Sequence, residues 1–172
     1  MPLIKNDTLI EDSWVAANDD EPLPLAEAII VSLERWQASR GELLARNGRL
    51  GLRLKSDQSP VLVAEDLEHF DLIALEFPKF KDGRAYSYAR LLRERYGYKG
   101  ELRAVGEVLR DQLIFMHRCG FDAFEVANDE ALDAWRQAAR EISVWYQPAT
   151  DRRPWAAHLR HGGAAERRAR SA

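Results

Sequence analysis

The strongest constraint on the fold is a regular alternation of short apolar segments and helix-like segments between residues 29 and 142. The strand-like segments are 29–33, 50–54, 72–77, 102–105 and 123–126. The helix-like segments, in which apolar residues recur every three or four positions, are 34–47, 59–70, 85–96, 108–118 and 128–142. This alternation is typical of a parallel sheet with right-handed crossovers. We therefore predict an α/β fold of about five βα units, either an open doubly wound sheet or a partial barrel.

The two ends of the chain differ from this central region in charge. Residues 1–28 contain seven acidic residues and one lysine, and the segments 3–5 and 8–11 flank Asn6-Asp7 in the pattern of a β-hairpin. Residues 148–172 contain six arginines and little hydrophobic periodicity, which is typical of a flexible tail. We expect an acidic N-terminal extension (1–28), one α/β domain (29–147) and an Arg-rich tail (148–172).

Composition and motifs exclude several classes of protein. The 172 residues carry a formal net charge of −3, which excludes a globally basic nucleic-acid-binding protein. The single cysteine, Cys119, excludes a disulfide framework and is expected to be a buried structural thiol. No apolar run reaches ~18 residues and no signal peptide is recognised, so we expect a cytoplasmic protein that does not bind membranes. No cofactor motif is present, and neither a cofactor nor a metal is predicted.

The loop after the third predicted strand has the composition of an anion-binding site. Lys79, Lys81 and Arg84 lie within six residues of each other at the start of a predicted helix. Helix N-termini offer free backbone N–H groups and a positive partial charge. Asp82-Gly83 favours a tight turn that brings the backbone close to a ligand. These features predict binding of a small oxyanion or carboxylate, although a charged, solvated loop would have the same composition.

The helix that follows this loop predicts a second charged surface. Tyr86, Arg90 and Arg93 are spaced so that they share one helix face. The interval 81–118 contains nine basic and five acidic residues, whereas the whole chain is negative. We interpret this face as a surface that binds an anion or a partner, with a solvated helix surface as the alternative.

Charged residues inside the predicted strands are candidates for chemistry. Glu76 lies near the end of the third strand, and Arg103 lies within the fourth with Glu101 on the same face. We predict that Glu76 and Arg103 form an ion pair on adjacent strands, with Arg103 contributing to the anion site. Glu76 and Asp82 are the candidate catalytic acid or base.

The helix predicted at 108–118 has apolar residues in nearly every direction around its axis. These residues are Val108, Leu109, Leu113, Ile114, Phe115 and Met116. A helix that is apolar over most of its circumference is normally buried. We therefore predict that this helix is the most buried one of the domain.

The segment 77–126 resembles a bacterial family of unknown function. The resemblance is densest over 72–126 and rests on the phrases FPKF-DGR, GELRAVG and RDQL, the last followed by RCGFDAF. It extends at lower density over about 29–147. Members of that family are described as oxidoreductases of sulfite reduction, and their genes commonly lie beside those of assimilatory sulfite reductase. The resemblance implies a role in that pathway and assigns no catalytic role to any residue.

Two functions from different classes are consistent with these observations. The first is an accessory protein of assimilatory sulfate and sulfite reduction, which binds a small oxyanion or docks on sulfite reductase or another enzyme of the pathway. The second is an oxidoreductase or other enzyme that acts on an anionic substrate, with a borrowed cofactor or electrons from a partner. A purely structural interaction module, tethered by the basic tail, is a further alternative.

Overall fold

The computed structural model describes residues 2–5, 8–79, 81–126, 132–133, 135–137, 144–150 and 155–160. The strands within these ranges are β1 (Leu3–Lys5), β2 (Thr8–Ile10), β3 (Val15–Ala16), β4 (Ala28–Ser32), β5 (Arg49–Leu54), β6 (Leu72–Phe77), β7 (Glu101–Gly106) and β8 (Ala123–Glu125). The α-helices are α1 (Leu33–Ala45), α2 (Arg84–Arg90) and α3 (Leu113–Cys119). The five strands predicted from the sequence are thus confirmed as β4 to β8.

All eight strands belong to one sheet in the order β2-β1-β8-β7-β6-β5-β4-β3. Strands β3 to β8 are parallel, and β4 to β8 lie side by side in the order of the sequence. Right-handed connections between consecutive neighbours place every crossover on the same face of a sheet. The sheet accordingly curls into a half-barrel, so the partial barrel is the correct one of the two predicted architectures.

The N-terminal hairpin predicted from Asn6-Asp7 is confirmed. β1 pairs antiparallel with β2, with Leu3 opposite Ile10 and Lys5 opposite Thr8. β1 also pairs antiparallel with β8, and β3 pairs in parallel with β4 at the opposite edge. The acidic N-terminal residues therefore add strands to both edges of the sheet.

The larger apolar core lies on the outer face of the sheet, beneath the helices. It joins outward-facing strand residues such as Ile73, Leu75 and Leu102 to Trp36 of α1 and Leu113 of α3. The boundary between β4 and α1 is set by Ser32, whose Oγ accepts from the backbone N–H of Arg35 at 2.9 Å. A serine that caps the helix directly after a strand allows the short connection on which this architecture depends.

The predicted helices 59–70 and 85–96 both depart from regular α-helical geometry. The segment 59–70 forms two short 3₁₀ helices, Pro60–Val63 and Leu67–His69, with Ser59 capping the first as predicted. The helix that begins at Arg84 continues into a π-helical turn, Leu91–Arg95. The connection from β5 to β6 therefore contains two 3₁₀ helices, where the sequence predicts one short helix.

The helix predicted at 108–118 is only partly α-helical, but among the described α-helices α3 has the largest share of buried residues, three of its seven, as predicted. The first part of the predicted helix is a 3₁₀ turn, Arg110–Gln112, and only α3 is α-helical. Leu113 and Met116 are fully buried, but Leu109 is 40% exposed and Phe115 is 53% exposed. A helix that packs on one side of a sheet has one covered face, and the apolar residues on its other side face solvent here.

The last predicted helix, 128–142, and the Arg-rich tail lie largely outside the described residues. Residues 132–133 and 135–137 are helical, and Trp135 is buried against Phe124 and His117. Thr150 Oγ1 donates to the backbone oxygen of Arg118 at 2.6 Å. Within the described ranges, no helix has the length and apolar character needed to cross a membrane.

Candidate functional site

The concave face of the half-barrel contains a buried ion network centred on Arg103. The Arg103 side chain is only 1% exposed. Its Nη1 donates to Asp12 Oδ2 at 2.6 Å, and its Nε donates to Glu101 Oε1 at 2.8 Å. Lys5 Nζ donates to the other oxygen of Glu101 at 2.5 Å. Two cations and two carboxylates thus compensate each other, as buried charges require.

The predicted ion pair between Glu76 and Arg103 is wrong, although both residues lie on the concave face. The β6 residue in register with Arg103 is Ala74. Glu76 instead pairs with Arg53 of β5, with Nη2 3.4 Å from Oε1. Arg103 pairs with Glu101 and with Asp12, which lies 91 positions away in the sequence. Asp12 enters the network because the N-terminal segment crosses the concave face, a contact that strand periodicity does not reveal.

Three charged side chains form a partly exposed group at the carboxyl ends of the parallel strands. This group, the rim cluster, consists of Arg53, Glu76 and Glu125, whose side chains are 47%, 25% and 25% exposed. Glu125 Oε1 lies 3.9 Å from Arg103 Nη1. Burial raises the pKa of the Glu125 carboxyl, and the charges of Arg103 and Arg53 only partly oppose this shift. Because parallel α/β sheets bind ligands at the carboxyl ends of their strands, the rim cluster lies where a ligand is expected.

The remainder of the concave face is closed by Trp14. Its ring packs in an apolar cluster with Leu72, Ala74 and Val105. The guanidinium carbon of Arg49 lies 4.6 Å from the centre of the Trp14 ring. Trp14 therefore covers the apolar residues at the centre of this face.

The loop predicted to bind an anion contains its own carboxylate. Arg84 donates from Nη2 to Asp82 Oδ2 at 2.6 Å and from Nε to Asp82 Oδ1 at 2.9 Å. Its Nη2 also donates to Ser56 Oγ at 2.9 Å, and its backbone N–H donates to Asp82 Oδ1 at 3.3 Å. Asp82 thus binds the Arg84 guanidinium and the helix N–H group that were predicted to bind an external anion. Hydrogen bonding to Arg84 lowers the pKa of Asp82 well below its usual range, so this carboxyl is a poor proton donor at neutral pH.

The other predicted residues of this loop are exposed. Lys79, Lys81 and Gly83 all face solvent at the carboxyl edge of the sheet. Neither lysine forms an ion pair with a described residue. Both ammonium groups are therefore available to an incoming acidic group, whereas Arg84 and Arg103 are already paired.

Tyr86, Arg90 and Arg93 do not form one polar face, and the predicted common surface is wrong. The Tyr86 ring is half-buried between Phe77 and Phe115, and burial raises its pKa to about 12. Arg90 is exposed and pairs with Glu94. Arg93 points to the amino edge of the sheet. The spacing is helical, but the π-helical turn that contains Arg93 rotates it away from the positions that an α-helix would give.

Arg93 bridges several loops at the amino edge. Its Nε donates to the Gly120 oxygen at 2.9 Å, and its Nη1 donates to the Tyr98 and Gly100 oxygens at 2.7 and 2.9 Å. Its Nη2 donates to Asp122 Oδ2 at 2.8 Å. A cavity of about 590 Å³ borders these groups. Since four of the five guanidinium N–H groups donate to protein atoms, we assign Arg93 a structural role.

An exposed apolar patch lies beside the basic loop. The Phe115 and Tyr86 ring centres are 4.9 Å apart, and exposed Leu109 precedes α3 on the same edge of the sheet. Together with Lys79 and Lys81, these residues make up what we call the carboxyl-edge surface. Single exposed apolar residues are common, whereas a contiguous apolar group bordered by charges is typical of interaction sites.

Sequence reasoning missed Arg53, Glu125 and Asp12. Arg53 and Glu125 are charged residues at alternating positions of β5 and β8. Both faces of a parallel strand are normally buried, so a charged residue within such a strand was a detectable signal of a site. Asp12 had no local signal, because its partner is distant in the sequence. Cys119 is buried as predicted, and burial raises its pKa. The described residues contain no group of three His, Cys, Asp or Glu side chains positioned for a metal ion.

A family model described as "Bacterial protein of unknown function (DUF934)" matches residues 51–156, which include most of β5, all of β6 to β8, the loop 79–84 and α3. No curated protein and no solved structure matches the chain. The matched region spans more than half of the chain, and the protein therefore belongs to this bacterial family of unknown function.

Proposed function

We propose that the protein is a cytoplasmic accessory protein of assimilatory sulfite reduction, which docks on the reductase machinery through its carboxyl-edge surface. The pathway comes from the resemblance of segment 77–126 to proteins encoded beside assimilatory sulfite reductase. The docking role comes from the side chains of that surface.

The observation that carries this proposal is the contact between Phe115 and Tyr86 next to two unpaired lysines. Phe115 is 53% exposed on a helix that buries its opposite side, so its exposure is not explained by the core. Aromatic anchors surrounded by charged residues are the usual composition of protein interfaces. Lys79 and Lys81 add a positive rim, which favours an acidic partner surface and speeds association.

This arrangement supports docking better than a small-anion pocket in the loop. Arg84 has the best geometry for an oxyanion, but Asp82 occupies its guanidinium. An external anion would have to displace a carboxylate that is held by three hydrogen bonds from the same residue. A partner surface can use Lys79, Lys81 and Phe115 without breaking that contact.

Co-purification of tagged protein with sulfite reductase tests the proposal. Phe115→Ser and the double change Lys79→Glu with Lys81→Glu are each expected to weaken retention of the reductase at least tenfold. Leu62→Ser is the matched apolar control, because Leu62 is 56% exposed on the 3₁₀ helix after β5. Lys99→Glu at the amino edge is the charge control. Retention that is equal in all four variants, or absent in the parent protein, contradicts the proposal.

The second candidate is an enzyme that acts on a small oxyanion, which is the oxidoreductase role implied by the resemblance. It is favoured by the position of Glu76 at the ligand-binding edge, within reach of exposed Arg53. Calorimetric titration of sulfite and sulfate, together with a visible absorbance spectrum, tests this candidate. Saturable sulfite binding or a bound chromophore supports the enzyme, and their absence leaves the docking role.

A further inference from the structure

We propose that the cavity at the amino edge of the sheet binds an organic anion, in which a carboxylate is joined to an aromatic or other apolar group. Lys99 would pair with the carboxylate, and the rings of Tyr98 and Phe121 would contact the apolar group. The cavity lies at the opposite edge of the sheet from the carboxyl-edge surface, so this proposal does not rest on the docking role.

The cavity has the volume of a ligand site. It measures about 590 Å³, and sites for small organic molecules range from about 300 to 1,000 Å³. Its wall is built from the π-helical turn Leu91–Arg95, the loop before β7, the end of α3 with the loop to β8, and the segment 144–150. An inorganic oxyanion such as sulfite would leave most of this volume empty. The space therefore favours a larger, organic ligand.

The charges of the wall leave one cation without a partner. The charged wall residues are Arg93, Glu94, Lys99 and Asp122. Arg93 Nη2 donates to Asp122 Oδ2 at 2.8 Å, and Arg90 Nη2 donates to Glu94 Oε1 at 3.0 Å. Lys99 is exposed and forms no ion pair or hydrogen bond with a described residue. Lys99 therefore sets the net charge of the wall, which favours an anion.

The charged residues behind the wall compensate each other. Lys5 and Glu101 both act on Asp122, and Lys5 Nζ donates to Glu101 Oε2 at 2.5 Å. Arg103, the other partner of Glu101, pairs with Asp12. Two cations and two carboxylates thus add no net charge, and the positive charge of Lys99 is not cancelled from behind.

Arg93 supplies a second donor to a bound carboxylate. Four of its five N–H groups donate to described residues, which leaves one N–H group on Nη2. Its side chain is 17% exposed and lines the cavity. The loops that Arg93 bridges hold this guanidinium in place, so the remaining N–H group is positioned before a ligand enters.

The wall also presents apolar surface. The Tyr98 hydroxyl donates to the Phe70 oxygen at 3.0 Å, so its polar atom is already satisfied and its ring is left as an apolar contact. Phe121 belongs to the same apolar core and also lines the cavity. The apolar group of a ligand would remove this surface from water, which a purely charged ligand cannot do. Because reactions in parallel α/β barrels take place at the carboxyl ends of the strands, we assign this edge a binding role and no catalytic one.

Isothermal titration calorimetry of the full chain with phenylacetate and indole-3-acetate tests the proposal. We expect saturable binding of at least one of these acids. Phenylacetamide has the same ring without the charge, and sulfate has the charge without the ring. Each is expected to bind at least tenfold more weakly. No saturable binding of either acid, or binding of phenylacetamide or sulfate as strong as that of the acids, overturns the proposal.

Variants locate the binding at the cavity. Lys99→Met should weaken acid binding about tenfold or more and leave the weak binding of phenylacetamide unchanged, because only a charge is removed. Ala149→Leu should weaken the binding of both, because its longer side chain occupies the cavity. Lys55→Met and Ala64→Leu are the matched controls, because Lys55 is exposed like Lys99 and Ala64 is half-buried like Ala149, and neither lines the cavity.

Unchanged acid binding in both Lys99→Met and Ala149→Leu overturns the assignment to this cavity. Lys99 is exposed, so its substitution removes no buried contact and the variant is expected to fold. If Ala149→Leu fails to fold, Lys99→Met decides alone.

Discussion

The outer face of the central strands buries apolar side chains, whereas the concave face buries charged side chains as well as apolar ones. On β6 the outer face presents Ile73 and Leu75 to the helices, while Glu76 lies on the concave face. On β7 the outer residue Leu102 alternates with Arg103, which is buried at the concave face. The outer face is held by apolar packing, whereas the concave face combines ion pairs with the apolar cluster of Trp14, Leu72, Ala74 and Val105 beneath an N-terminal segment.

This difference shows that the two faces have different requirements for a stable fold. Apolar packing tolerates many residues of suitable size, because burial is favourable in any orientation. A buried charge is tolerated only with a partner at short distance. The concave face therefore depends on Asp12 reaching Arg103, and the outer face has no comparable single contact.

The largest expected effect is the loss of the charge that centres the concave network. Arg103→Met leaves the carboxylates of Asp12 and Glu101 without their guanidinium and should lower the free energy of unfolding by about 3–5 kcal/mol. Urea denaturation of both proteins measures this change. Arg90→Met, which removes an exposed pair, should change it by less than about 0.5 kcal/mol. A loss below about 1 kcal/mol for Arg103→Met would show that the network adds little.

On the outer face, truncation of a side chain should lower the free energy of unfolding only where that side chain is buried. Leu113→Ala in α3 should cost about 2–5 kcal/mol, because Leu113 is fully buried in the core. Phe115→Ala on the same helix should cost less than about 1 kcal/mol, because the ring is about half exposed. Thermal denaturation of both variants makes the comparison. Equal losses would indicate that Phe115 is covered by other parts of the chain.

A smaller loss of stability is expected when a methyl group is added at Gly51, and it tests how closely Trp14 packs on β5. A Cβ added at Gly51 would lie 3.0 Å from Ile30 Cγ1 and 3.2 Å from Trp14 Cζ3. Gly51→Ala should therefore destabilise the protein by about 1–3 kcal/mol through overpacking. Gly41→Ala is the control, because a Cβ there meets no atom within 4 Å and alanine favours the helix by about 0.5–1 kcal/mol. Tolerance of Gly51→Ala would mean that Trp14 does not rest on this strand.

The smallest expected effect is a dependence on pH at the rim cluster. Burial raises the pKa of Glu125, so its stabilising contribution is present below the ordinary carboxyl pKa and is lost as pH rises through the raised value. Glu125→Gln removes this titration. The stability of the variant relative to the parent should therefore increase between about pH 4 and pH 7. Urea denaturation at both pH values measures the difference, and an unchanged difference would contradict the raised pKa.

Local sequence signals predicted much of the fold and part of the site. The strand at 72–77 and the helix end at Gly120 follow from apolar patterning and from a glycine in the left-handed region. Glu101 and Arg103 were placed on one face by period two, which the structure confirms. The predicted Glu76–Arg103 pair does not form, because Glu76 pairs with Arg53 and Arg103 pairs with Asp12 and Glu101. The alternation of residues within one strand does not show which side chain of another strand or segment will be the partner.

The sequence by itself determined the α/β class, the five central strands and the N-terminal hairpin, because each depends on patterning within ten to twenty residues. Tertiary structure decided that the sheet curls into a half-barrel with sequential strand order, since both predicted architectures use the same local units. It also decided which charges meet. Asp12 reaches Arg103 and Asp82 folds back on Arg84 because the chain path brings them there, and the electrostatic attraction then fixes the pairs. The exposure of Phe115 likewise depends on which side of α3 the sheet covers.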